Sequence, residues 1–172
     1  MKVLPLAIAV FLMPALGQTP PSIAENIGKP KFFKLKPLEK SEIDVVKARS
    51  AEPQAAGRHR PLEARAFDKG KWKNLASGAG VWRLGIESPG AVGLRVHFTG
   101  FDANEGRVWI HAQTTPGKPE VVGPYSGKGP HNDGDFWSDV VFSPTIVIEY
   151  QPAAPARKPP FRIPEIAHLI SP

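Results

Sequence analysis

Cysteine is absent from the chain, which excludes thiolate nucleophiles, thiolate metal sites and disulfides. Serine with histidine is then the first nucleophilic combination to weigh. Gly123-Pro124-Tyr125-Ser126-Gly127 resembles a nucleophile elbow, but its serine stands one place late for G-x-S-x-G. More Gly and Pro follow where an elbow needs a helix, so the segment reads as a turn. No serine stands in the G-D-S-G-G setting of a trypsin-like enzyme. Gly127-Lys128-Gly129 lacks the Ser or Thr of a phosphate loop. Glu87, Asp139 and Glu149 could work on a glycoside only as a facing pair, and no sequence feature pairs them. On these residues the chain offers no catalytic group.

Metal and ligand chemistry come next. His97 and His111 fall on the polar phase of neighbouring strands, where they are expected to approach each other on one face. Zinc needs three or four such ligands, and no H-x-H or H-x-x-x-H spacing supplies them. The loops Asp102-Ala103-Asn104-Glu105-Gly106 and Asn132-Asp133-Gly134-Asp135 are rich in oxygen. Asp102, Asn104, Asp133 and Asp135 are therefore the candidates for calcium. Neither loop fits the D-x-[DN]-x-[DN]-G pattern, and Asp or Asn before Gly is ordinary turn chemistry, so turns without a cofactor are expected. Trp82 and Phe136 fall in the apolar phase of their strands and read as core. Trp109 and Trp137 fall in the opposite phase, together with Arg95 and Arg107. These four are the binding candidates. An outward Trp can carry the chain's own N-terminal arm, anchor a protein partner or stack on a sugar ring.

The elements that must position these groups are short strands. Twenty Pro and sixteen Gly argue against a helix bundle and for strands joined by turns. From residue 80 the apolar residues recur at every second position. The expected inward set is Leu84 and Ile86; Leu94, Val96 and Phe98; Val108 and Ile110; Phe136 and Val140, with Phe142 in the same phase; and Ile146 and Ile148. No long helical pattern separates these runs, which excludes parallel βαβ units. The fold class is all-β, an antiparallel, jelly-roll-like β-sandwich over residues 80–150. Residues 18–79 read as an irregular arm with a short helix at 38–49, and 50–70 as irregular. Residues 151–172 read as a Pro-rich linker and a terminal apolar segment that either folds back on the sandwich or leads elsewhere.

Residues 1–17 have the form of a signal peptide: Lys2, an uncharged run over 3–16, and Ala15-Leu16-Gly17 before Gln18. The run is too short to span a bilayer, and no later segment is long enough. An exported protein in the periplasm or outside the cell is the expectation. The net charge of +6 sits on the flanks, because residues 71–150 carry seven Lys and Arg against eight Asp and Glu. That distribution, and export, argue against nucleic acid as a partner.

Taken in order, Val81-Trp82-Arg83-Leu84, Ser88-Pro89-Gly90-Ala91, Leu94-Arg95-Val96-His97-Phe98, Gly123-Pro124-Tyr125-Ser126, Asp135-Phe136-Trp137-Ser138 and Ile148-Glu149-Tyr150 resemble a β-sandwich domain of secreted bacterial proteases. In that family a non-catalytic domain of pre-peptidase type precedes a trypsin-like or lysyl-endopeptidase-like catalytic domain. The resemblance covers residues 80–150, with His59-Arg60-Pro61-Leu62 upstream. Ser143-Pro144 departs from the Gly-Asp usual in the family at that turn. Ile163 to Ile170 resembles the connection to the catalytic domain, which these residues do not include. The resemblance implies a folding helper, inhibitor or targeting module whose partner is a secreted trypsin-like protease domain. A carbohydrate- or envelope-binding module is the alternative.

Overall fold

The period-two runs become strands because side chains of an extended chain alternate between two faces, and one face here is apolar throughout. The structure, a computed structural model, describes residues 19–49, 57–115 and 118–170. The signal-peptide reading of residues 1–17 lies outside them. In chain order the elements are α1 (Pro21–Ala24), β1 (Phe32–Lys34), α2 (Lys40–Arg49), β2 (Gly57–Pro61), α3 (Ala64–Phe67), β3 (Lys71–Asn74) and β4 (Gly80–Glu87). They continue with β5 (Gly93–Thr99), β6 (Arg107–Thr115), β7 (Lys118–Tyr125), β8 (Phe136–Trp137), β9 (Thr145–Gln151) and β10 (Arg162–Leu169). Among the described residues no helix is long and apolar enough to cross a membrane.

Two sheets form a sandwich-like, all-β fold. The larger has the order β1-β4-β9-β6-β7, with β3 also paired to β4. The smaller has the order β2-β10-β5-β8. Pairing is antiparallel except between β1 and β4. Leu84, Ile86, Val108, Ile110, Ile146 and Ile148 of the larger sheet face Leu94, Val96, Phe98 and Ile166 of the smaller one, all buried. Each such side chain contributes roughly 1.5–3 kcal/mol when removed from water. The helix α2 begins where the Glu42 carboxylate accepts the Glu39 amide at 2.9 Å, half of a capping box. It lays Val46 against the protein and leaves Val45 exposed.

Three expectations need correction. The inward phase after Phe136 slips. β8 is only two residues long, Ser138 N then donates to Val96 O, and Val141 bridges to Leu94. Val141 therefore takes the core position, Val140 is half-buried, and Phe142 is 53% exposed. Second, residues 57–61 are not irregular, because β2 pairs with β10 along its whole length. Third, the Pro-rich linker ends before Arg162 and not at 164, and of the two courses expected for the terminal segment the chain takes the first, folding back on the sandwich. β10 lies between β2 and β5 in the smaller sheet. Its Pro164 is accommodated where the register with β5 shifts between Arg162 and Glu165, the kind of irregularity that frees a strand from needing that N–H. The Pro164 carbonyl still accepts Leu62 N at 2.7 Å.

Phe161, at the end of the Pro-rich stretch, is buried and meets Trp82, Phe98, Phe101, Phe67 and Tyr150 at ring-centroid distances of 5.3–6.2 Å. The C-terminal segment thus supplies both a central strand and the ring that joins the core aromatics. Ile166→Ala is expected to destabilise the protein by about 2–5 kcal/mol, as for a fully buried aliphatic residue. Urea unfolding followed by circular dichroism checks this, and an unchanged midpoint would place the segment outside the cooperative core.

Candidate functional site

β5 and β6 are consecutive, but they belong to different sheets. Residues sharing the polar phase of both strands therefore emerge on opposite outer faces. His97 lies outside the smaller sheet and His111 outside the larger, so the expected approach of the two does not occur. Arg95 and Arg107 separate in the same way, as do Trp137 and Trp109. The four binding candidates form no single patch.

The outer face of the smaller sheet gathers Trp137, Arg95, His97, His59 and Glu165. Trp137 pairs with His97 in register, and the two rings stack with centroids 4.7 Å apart and planes 12° from parallel. His59, on β2 with β10 and β5 between it and β8, tilts against the same indole at 4.8 Å. Arg95 donates from Nε to Ser138 O at 2.7 Å and holds its guanidinium carbon 6.0 Å from the indole centroid, within cation–π range. Carboxylates fix the imidazoles. Glu165 lies 3.1 Å from His97 Nδ1 and 3.4 Å from His59 Nδ1, and Asp135 Oδ1 is 2.8 Å from His97 Nε2. Each ring and charge is thus held by a neighbour while the cluster stays half-buried to exposed. The sequence pointed to Trp137 and Arg95. It missed His59, because 50–70 read as irregular, and Glu165, because β10 read as a connection.

The outer face of the larger sheet is covered by the chain's own arm. Trp109 is 1% exposed there and offers no contact surface, so it is withdrawn as a binding candidate. Its neighbour across the ladder is Glu149, fully buried, and beyond that Arg83. Glu149 accepts Ser22 N at 2.8 Å and Ser22 Oγ, and lies 3.2 Å from His111 Nε2. Serine and histidine meet the carboxylate separately and not each other, so they form no serine–histidine pair, and the group ties the arm to the sheet. Burial lowers the Arg83 guanidinium from its usual value, opposed by the Glu149 charge. Arg107 is exposed beside Glu105 and Gln151, remote from Arg95.

A second serine–histidine contact is sealed in the sandwich. Ser88 Oγ lies 2.8 Å from His168 Nδ1, and Arg60 Nη1 donates to the same oxygen at 2.8 Å. The arginine can only donate, which leaves the hydroxyl proton free to point to Nδ1 in the Nε2–H tautomer of His168. Ser88 is fully buried and His168 2% exposed, which leaves no room for a substrate.

The oxygen-rich loops act as turns. Asn104 and Asn132 have positive φ, and Asp133 Oδ1 accepts Asp135 N at 3.0 Å. Asp102 N donates to Pro160 O, and Asp135 is engaged with His97. Among the described residues no three His, Asp or Glu side chains are grouped to hold a metal ion. Glu87 pairs with Lys34 at 2.8 Å and Asp139 accepts from Tyr125 at 3.1 Å, so they and Glu149 are committed to separate partners.

No protein-family model, curated protein or solved structure matches this chain.

Two outcomes are expected from the buried groups. Ser22→Ala leaves the fully buried Glu149 one donor short and should lower stability by about 1–3 kcal/mol, read from the urea midpoint. His168 is held below its usual pKa by burial first and by the Arg60 charge second. Its neutral form thus belongs to the folded state. As pH falls below the ordinary histidine range, the unfolded chain binds a proton that the folded one refuses, and stability drops until the depressed folded pKa is passed. Tm measured from pH 7.5 to 5 should fall less steeply in His168→Asn than in the wild type, and parallel slopes would contradict this.

Proposed function

We propose that this chain is an exported, non-catalytic binding module that docks on a folded protein through the outer face of its smaller sheet. The observation that carries the reading is the Trp137 cluster. An indole and a guanidinium are the side chains most often found as energetic anchors of interfaces, and both are held in place before any partner arrives. Arg95 is fixed by the Ser138 carbonyl, and Trp137 by two imidazoles that are themselves tied to carboxylates. The sealing of the Ser88–His168 pair supports a role without catalysis. The order of motifs along β4 to β9, which resembles the pre-peptidase domains of secreted proteases, makes a trypsin-like protease domain the first partner to test.

The alternative, a sugar-binding face, has the neighbouring carboxylates it needs in Asp135 and Glu165. It is the weaker reading, because His97 already stacks on the indole that a sugar ring would need.

The chain from Gln18 onward is immobilised and presented with a secreted trypsin-like protease and with a panel of polysaccharides. Protease binding that weakens roughly 30-fold in Trp137→Ala, about 2 kcal/mol, and changes little in Arg107→Ala on the opposite face is the expected result. Binding to a glycan alone, or protease binding indifferent to Trp137, would overturn the reading.

A further inference from the structure

A cavity of about 220 Å³ lies between the N-terminal arm and the outer face of the larger sheet. It is independent of the Trp137 face on the other side of the molecule. Its floor is the sheet, with Val147 and His111 adjacent across β9 and β6. Its roof is the arm, with Ile23, Ile27 and Phe32. Phe32 is seated over Gly85, where a Cβ would come within 2.9 Å of its ring, so the glycine is what lets the arm lie this close. The apolar part of the wall is only slightly larger than the polar part, to which Ser22, Asn26, His111 and Thr145 contribute; a cavity of ~150 Å³ already admits benzene.

Among these polar groups Arg83 is the one with a buried, unpartnered donor. It lines the cavity, is 4% exposed, and makes both of its hydrogen bonds through Nη1, to the carbonyls of Gly28 at 2.9 Å and Ile27 at 3.4 Å. Its Nε is buried without a partner. The side of the guanidinium that carries Nε and Nη2 is the fork that takes both oxygens of a carboxylate. Glu149 is the nearest acid on the ladder, but its oxygens are committed to Ser22 and His111. Lys29 adds a second positive charge at the edge. Arg83 and Lys29 against Glu149 leave one positive charge in excess, which matches a singly charged head and not a dianion.

We infer that this cavity is a binding site for a small monocarboxylic acid, its carboxylate on the free fork of Arg83 and its short hydrocarbon chain against Val147, Ile23, Ile27 and Phe32.

Hexanoate, hexan-1-ol and hexylamine serve as probes, titrated into the chain from Gln18 onward by calorimetry and by thermal melts, since a ligand of the folded state raises Tm by mass action. Hexanoate is expected to bind at least about ten-fold more tightly than the alcohol, the worth of one charge-assisted pair, and the amine not at all. Arg83→Met should remove that preference. Val147→Phe, which fills the cavity and keeps the guanidinium, should remove hexanoate binding. If Arg83→Met does not fold, the acid-to-alcohol ratio and the Val147→Phe variant still decide the matter. Equal binding of acid and alcohol, no binding of hexanoate, or hexanoate binding untouched by Val147→Phe would each overturn the assignment.

Discussion

Glu149 is a carboxylate without access to water on the outward side of a sheet, and this organises the molecule. A lone buried carboxylate costs several kcal/mol, and it persists only where donors replace the lost water. His111 supplies one donor from the neighbouring strand. Ser22 supplies two from a position 127 residues earlier in the chain. The arm therefore cannot leave without exposing or orphaning a charge. Its docking is then extended by β1 alongside β4 and by the Lys34–Glu87 ion pair. The result is a third layer on the larger sheet, with the polar phase of β4, β6 and β9 turned into an interior.

That third layer explains where the sequence was legible and where it was not. Alternation from residue 80 to 150 identified the strands and, apart from the slip at Val140–Phe142, which side chains point between the sheets. A two-residue period says which residues share a face of one strand. It does not say which sheet the strand joins, so Arg95 and Arg107 looked like neighbours and are not. Nor does it say whether the outward face meets water. Trp109 and Trp137 have the same phase and opposite fates, because Ser22, Ile27 and Phe32 cover one face only.

The Pro-rich stretch up to Pro164 was illegible for a different reason. Proline was read as a bar to sheet structure, which holds for regular ladders. Pro164 sits where the ladder is already irregular, and Phe161 owes its place in the core to ring contacts that no local pattern encodes. His59 and Glu165 were lost with it, and so was most of the cluster around Trp137. The part of the candidate site visible in the sequence was the part on β5 and β8.

The prolines and the arm have one more effect, on the margins of the sheets. Unpaired strand margins invite other chains to add a strand. Here β4 would be such a margin, but β1 occupies one end of it and β3 the other. The opposite margin, β7, carries Pro119 and Pro124, which cannot donate to an incoming strand. In the smaller sheet β8 is two residues long, and β2 ends in Pro61 and bears Arg58 and Arg60. Every border is thus shortened, charged, interrupted or occupied from within. A β-rich chain built this way resists stacking into cross-β assemblies during and after folding.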